Sequence, residues 1–168
     1  MLSIPPHGYG GIERVASLLT EGLVSRGHEV TLFASGDSQT SAVLASVFDK
    51  AAGWDGTDIP ADEMYHEAAA YLRAAEFDVI SDHSWFGSYF GAFVGATTPV
   101  VTTLHGPWGR NNLRSHRLLG DRIHRVAISE HQRSGNPDVN WAGTVYNGID
   151  LADHAYRSDK EDFLVFLG

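Results

Sequence analysis

The 168-residue sequence contains no cysteine, which excludes disulfides and thiolate metal sites. Cations are scarce: 12 lysines and arginines stand against 21 aspartates and glutamates, a net charge of −9. A nucleic-acid or anionic-membrane surface would therefore need a local basic patch. Arg110, Arg114 and Arg117 come nearest to one, and with Arg122 and Arg125 they read as the solvated face of a helix. No nucleic-acid partner is expected. No apolar run approaches the roughly 18 residues of a membrane span, so no transmembrane segment is expected. Met1-Leu2-Ser3-Ile4 lacks the basic leader of a signal peptide, and a cytoplasmic location is the expectation. Also missing are Gly-Lys-Ser or Gly-Lys-Thr after a glycine loop, Gly-x-Ser-x-Gly, and His-Glu-x-x-His. P-loop hydrolysis, serine hydrolysis and zincin chemistry lose their usual carriers.

The most informative stretch present is Pro5-Pro6-His7-Gly8-Tyr9-Gly10-Gly11-Ile12-Glu13-Arg14. Glycines here open backbone angles closed to other residues and let a ligand approach the main chain. The helix that follows leaves its first N–H groups unpaired at the positive end of its dipole. Phosphate is the natural occupant of such a cradle. Ile12, Val15, Leu18, Leu19 and Leu23 recur at helical spacing, and Arg26-Gly27 closes the segment with a cation and a left-handed cap. The dinucleotide fingerprint is not met, because position 13 is glutamate where a third glycine would stand.

Apolar strand-like runs alternate with helical segments, which predicts an α/β fold with a doubly wound, Rossmann-like parallel sheet. The runs are Val30–Ala34, Val43–Phe48, Phe77–Ser81, Val100–Leu104, Arg125–Ile128, Thr144–Tyr146 and Phe163–Leu167. Helices are expected from Gly11, over Ala61–Glu76 with Met64, Ala68, Leu72 and Ala75 on one face, after Trp85, and over Leu113–Asp121. Gly53-Trp54-Asp55-Gly56 reads as an exposed excursion. Only Met1–Ile4 precedes the glycine loop, so the first strand is expected to be truncated. At the other end, Phe163–Gly168 reads as a buried strand opening a second domain. The expected division is 1–150 for the first domain and 151–168 for a linker and the start of the next.

Ligands of open α/β sheets gather at the carboxyl ends of the strands. His83 and His105 each follow such an end and each neighbours an aromatic, Trp85 or Trp108, of the kind that packs on sugar faces. A metal site from Asp82, His83 and His105 rests on geometry alone, and no metal is expected. The other seven histidines read as surface or capping groups.

The order of these pieces resembles the N-terminal half of a family 4 glycosyltransferase, a retaining enzyme with two Rossmann-like domains in the GT-B arrangement. The glycine loop resembles that family's opening loop, Leu23–Leu32 its L-x-x-R-G-H-E-V-T-L segment and Asp78–His83 its D-V-I-x-x-H. Thr103-Leu104-His105-Gly106 resembles the histidine strand, Ala127-Ile128-Ser129 with Arg133 the A-x-S-x-x-x-R element, and Tyr146–Asp150 the interdomain N-G-I-D.

The resemblance implies that the N-terminal domain binds the acceptor while a C-terminal domain holds a nucleotide-sugar. It implies donor-phosphate contacts from Gly10 and Gly11, and His105 at the reacting centre. Tyr9, His83, Trp85, Trp108 and Arg110 would line the acceptor side. No cofactor is implied beyond the nucleotide-sugar, which is a substrate, and a sugar or glycoconjugate is the implied acceptor. The family's basic stretch and nucleotide pocket would follow Gly168, so this chain is expected to be inactive alone and to need a donor domain, possibly in trans. Two alternatives stand beside this reading. One is a stand-alone carbohydrate-binding or regulatory domain. The other is a nucleotide-sugar dehydrogenase or epimerase with Asp37 as its ribose-binding acid.

Overall fold

The structure is a computed structural model that describes residues 3–51, 59–94, 97–106, 110–154, 156, 158, 159, 162 and 164. The side chains of 59, 110, 111, 112 and 153 stand outside that description. In chain order the elements are α1 (Gly11–Val24), β1 (Thr31–Phe33), β2 (Val43–Ala45), α2 (Ile59–Tyr71), β3 (Ile80–Asp82), α3 (Gly87–Val94), β4 (Val100–Leu104), α4 (Arg110–Leu119), β5 (His124–Ala127), α5 (Glu130–Ser134) and β6 (Trp141–Thr144).

All strand pairs are parallel. They form two ladders, β1-β2 and β3-β4-β5-β6, among the described residues. Ile80 pairs with Val100, and Val101 with His124, so the carboxyl ends of β3, β4 and β5 stand along one edge. A register shift at Arg125/Val126 offsets β6. Ser3 and Ile4, the described end of the expected first strand, join neither ladder. They are tied instead beside β1, where the Ile4 N–H donates to Ser38 Oγ at 2.9 Å and the Gln39 N–H to the Ile4 carbonyl at 2.8 Å.

The core lies where α2, α3, β4 and the end of α4 meet. Tyr71, Ala92, Val100, Leu119 and Ile123 are buried there, with Ile80, Phe90 and Val94 packed against them. The rings of Tyr71 and Phe90 stack at 5.9 Å. An aliphatic side chain fully withdrawn from water, as at Val100 or Ile123, contributes about 1.5–3 kcal/mol.

The α2 face differs from the sequence expectation. Met64 is exposed, as is Leu72 just past the helix end, and the buried positions are Glu67 and Tyr71 on α2 and Ala74 beyond it. An apolar-periodicity reading passes over Glu67 because it is a carboxylate. Its burial is supported by the Phe86 N–H, which donates to Glu67 Oε1 at 3.1 Å.

Arg125 is a second correction. It sits on β5 rather than on a solvated helix face, and it is 1% exposed. Its guanidinium donates to His116 Nδ1 at 2.6 Å, to the Gly120 carbonyl at 2.8 Å and to the His116 carbonyl at 3.2 Å. His116 is accordingly half-buried rather than a surface group. Burial and then the Arg125 charge hold its pKa down to about 4. His66 likewise loses basicity through burial.

The last β-strand among the described residues also moves. It covers Trp141–Thr144 rather than Thr144–Tyr146, and Val145 and Tyr146 are exposed. Phe163, Val165 and Leu167 of the expected terminal strand, and Gly53–Gly56 of the expected excursion, lie outside the described residues.

Candidate functional site

His83 is the first residue beyond β3, and His105 the first beyond β4. Parallel pairing of those strands brings the two side chains together. His83 Nδ1 and His105 Nε2 share a hydrogen bond of 2.8 Å, and His83 Nε2 meets Ser81 Oγ at 3.1 Å. Burial pushes the His83 pKa down to about 4, helped by the neighbouring His105, and burial also lowers that of His105. Both rings are therefore neutral at pH 7, able to accept or donate one hydrogen bond at each nitrogen.

Successive strand residues face opposite sides, and Asp82 accordingly turns away from its neighbour His83. It is 5% exposed, and its carboxylate accepts from the Ser84 N–H (3.0 Å), Ser84 Oγ (2.6 Å) and Thr102 Oγ1 (3.1 Å). Asp82 thus shapes the β3–α3 turn instead of joining a metal set. Among the described residues no group of three or more His, Asp or Glu side chains is placed to hold a metal ion.

The histidine pair opens into a cleft of about 170 Å³ that Trp85, Tyr89 and Leu104 also line. Ile12, directly after Gly10-Gly11, lines the same cleft. The start of α1 and the two histidine strands therefore converge on one space. Trp85 is 74% exposed, leaving its ring available to a ligand. The Tyr89 hydroxyl and Ser115 Oγ are hydrogen-bonded, which links α3 to α4.

The glycine loop works differently from the sequence expectation. Among described glycines only Gly27 and Gly120 have left-handed φ. Gly10 is required for space: a Cβ there would stand 2.7 Å from Pro6 Cβ and Cγ and 2.9 Å from Glu13 Oε2. Gly11 faces open space, with no atom within 4 Å of an added Cβ. The first intrahelical bond runs from the Arg14 N–H to the Gly10 carbonyl at 3.1 Å. The N–H groups of residues 11–13 precede it and have no carbonyl of the same helix to meet.

Tyr9 is 94% exposed and does not line the cleft. Trp108 and the side chain of Arg110 lie outside the described residues. Asp37, the acid of the dehydrogenase alternative, accepts from the Ala51 N–H at 3.0 Å, so part of its hydrogen-bonding capacity is used in holding its own loop.

One residue absent from the sequence reading proves central. Gln132 Nε2 donates to the carbonyls of Leu104 (2.9 Å) and Gly106 (3.1 Å), and Gln132 Oε1 accepts from the Ile128 N–H at 2.9 Å. Its own N–H donates to Ser129 Oγ, the cap of α5. The Ser129-x-x-Gln132 spacing is a capping-box signature, and it was the sequence signal for both this short helix and its anchoring residue.

A second cleft, of about 220 Å³, lies beside Leu113, Arg117 and Arg125. Its charged walls are paired, Arg117 with Asp138 at 3.2 Å and Asn140 with Asp121 at 2.6 Å. It is a polar seam between α4 and the turn before β6.

No helix among the described residues is long and apolar enough to cross a membrane. Comparison with curated proteins returns no match. Among solved structures, the chain is similar to AviGT4, a glycosyltransferase involved in avilamycin A biosynthesis, with a TM-score of 0.55 and 24% identity. That match covers 90% of this chain but 38% of the AviGT4 chain, a likeness that shows the fold, a Rossmann-like half of a GT-B structure. The family model for Glycosyltransferase Family 4 matches residues 9–153, a span running from the glycine loop through both histidine strands to beyond β6. The chain belongs to Glycosyltransferase Family 4, of which it represents an N-terminal domain.

Proposed function

We propose that this chain is the acceptor-side domain of a retaining glycosyltransferase that moves a hexosyl group from a nucleotide-sugar to a sugar or glycoconjugate acceptor. In the reaction the bond from the anomeric carbon to the diphosphate oxygen breaks, and its electron pair leaves with the diphosphate. The acceptor oxygen bonds to that carbon and its proton passes to the departing diphosphate. The N–H groups at Gly10 and Gly11 face the diphosphate, His105 contacts the transferred sugar, and Trp85 offers its ring to the acceptor. Tyr9, Trp108 and Arg110 are assigned to the acceptor side. The reaction needs no cofactor or metal in this reading.

The observation that carries the proposal is the convergence of the α1 start, His83 and His105 on one cleft at the carboxyl edge of the strands, the place where open α/β sheets bind ligands. Family membership supports the transferase class. Developing charge on a leaving diphosphate calls for several donors, each worth about 3–4 kcal/mol in comparable sites. Among the described residues that line this cleft there is no lysine or arginine, which supports the reading that the chain alone is inactive and works with a donor-binding domain.

The test is a transfer assay with a panel of nucleotide-sugars and simple sugar acceptors, run with and without the donor domain of a family 4 enzyme. Turnover only in the mixture, lost in His105→Ala, supports the proposal. Robust turnover by the isolated chain overturns the half-enzyme reading, and binding of free oligosaccharide with no transfer in any mixture favours the carbohydrate-binding alternative.

A further inference from the structure

His105 has two ring nitrogens, and the structure commits one of them. Nε2 is held at 2.8 Å by His83 Nδ1, while among the described residues Nδ1 has no hydrogen-bond partner, and His105 lines the cleft. The far nitrogen of His83 is itself engaged, by Ser81 Oγ at 3.1 Å. Three groups therefore form one line, and protons along it cannot be placed independently. Two neutral arrangements satisfy every contact. In the first, Ser81 donates to His83 Nε2, His83 Nδ1–H donates to His105 Nε2, and His105 carries its proton on Nδ1. In the second, His105 Nε2–H donates to His83 Nδ1, His83 Nε2–H donates to Ser81, and His105 Nδ1 is bare. The tautomer of a histidine is set by the bond its other nitrogen makes, so His83 dictates what His105 shows to the cleft.

The second arrangement wins on chemistry. It places both imidazoles in the Nε2–H form that free histidine side chains prefer, whereas the first requires the less favoured Nδ1–H form twice. The serine hydroxyl rotates to serve either and does not decide between them.

We infer that His83 is a positioning residue: through the line Ser81–His83–His105 it holds His105 as the Nε2–H tautomer and presents His105 Nδ1 as a hydrogen-bond acceptor to a sugar hydroxyl. This rests on the sugar-transfer reading for the identity of the hydroxyl, but the tautomer itself does not. It reassigns His83 from the acceptor-contacting role implied by the family resemblance. The sugar that best fits is one with a free hydroxyl, a donor, directed at His105. A deoxy or O-methyl sugar at that position leaves the bare nitrogen unpaired, a mismatch that polar sites reject strongly.

The experiment uses the full 168-residue chain with ¹⁵N-labelled histidine at neutral pH and no sugar present, so its outcome is independent of whether transfer is ever observed. Multiple-bond ¹H–¹⁵N spectra separate protonated from bare ring nitrogens. The expected result is protonated Nε2 and bare Nδ1 for both His83 and His105, with a scalar coupling across the N–H···N bond. In His83→Phe, the coupling at His105 should vanish and its ring should relax to the free-histidine mixture, Nε2–H still predominant but with a measurable Nδ1–H population, while the other histidines keep their patterns. A His105 found with protonated Nδ1, an absent coupling in the unmodified chain, or an unchanged His105 pattern in a folded His83→Phe variant overturns the inference. The coupling is read on the unmodified chain, so the test survives a variant that does not fold. If the tautomers are as stated and no transfer is found with any donor domain, the positioning role stands and the transferase reading fails.

Discussion

Gln132 brackets His105: one amide nitrogen donates to the carbonyl before the histidine and to the carbonyl after it, at 2.9 and 3.1 Å. The loop bearing the candidate reacting group is thus anchored to α5 through a single side chain. Replacing Gln132 by leucine leaves two carbonyls and the Ile128 N–H to find water, at a cost of about 1–3 kcal/mol. Urea denaturation should show that drop. Gln132→Glu should fare no better, since a carboxylate can accept from Ile128 but cannot donate to either carbonyl.

Gly10 and Gly11 separate packing from ligand approach. Gly10→Ala drives a methyl against the Pro6 ring, and a loss of about 1–3 kcal/mol is expected in thermal or chemical unfolding. Gly11→Ala meets open space and should leave stability equal or raised by a few tenths of a kcal/mol through helix propensity. If the α1 start receives a phosphate, Gly11→Ala should nonetheless weaken nucleotide-sugar affinity severalfold by calorimetry.

Glu67 makes stability depend on pH in a direction unlike most carboxylates. Burial raises its pKa from 4.5 to about 7, so between those values the folded state holds a proton that the unfolded state has lost. Its contribution falls as pH rises through that window, by an amount on the order of 3 kcal/mol. His83 and His116 act oppositely: their folded pKa values are lowered to about 4, so their contribution is lost as pH falls from about 6.5 toward 4. The stability of Glu67→Gln relative to the unmodified chain should therefore climb from pH 4.5 to 7 in denaturation curves. A difference that stays flat with pH would remove Glu67 from this account.

Trp85 stands at the cleft with three quarters of its surface exposed. Trp85→Ala should change the unfolding midpoint little, because little packing is lost, while reducing acceptor-sugar binding at least tenfold. Quenching of tryptophan emission during a sugar titration should vanish with the same substitution.

Parts of this molecule were readable from residue pattern because buried parallel strands are nearly continuous apolar runs. Val100–Leu104 is the case in point, found at the bounds expected from the sequence. The Arg26-Gly27 stop was equally legible, and Gly27 adopts the left-handed angle of a helix end, φ 86°. Periodicity failed where polar groups are buried with partners. Glu67 replaced Met64 on the inward face of α2, and Arg125 entered the core through carbonyls and His116 rather than through an opposite charge. Pairing also reset strand bounds: Phe77–Ser81 became Ile80–Asp82, since only the residues facing β4 join the ladder. For the site, His83 and His105 were nameable because each follows an apolar run. Their mutual bond was not, because it depends on the register of two strands 20 residues apart, Ile80 opposite Val100.

The central claim is that the cleft joining the α1 start to the histidine pair receives the donor sugar and its diphosphate. It is tested most directly by titrating nucleotide-sugars into ¹⁵N-labelled chain and mapping the backbone and imidazole shifts. The account predicts weak, saturable changes at Gly10, Gly11, Ile12 and His105, abolished by His105→Ala only at the histidine strands and by Gly11→Ala at the α1 start. Changes confined to the seam of Leu113, Arg117 and Asn140, with Gly11 and His105 unmoved at saturation, would contradict it.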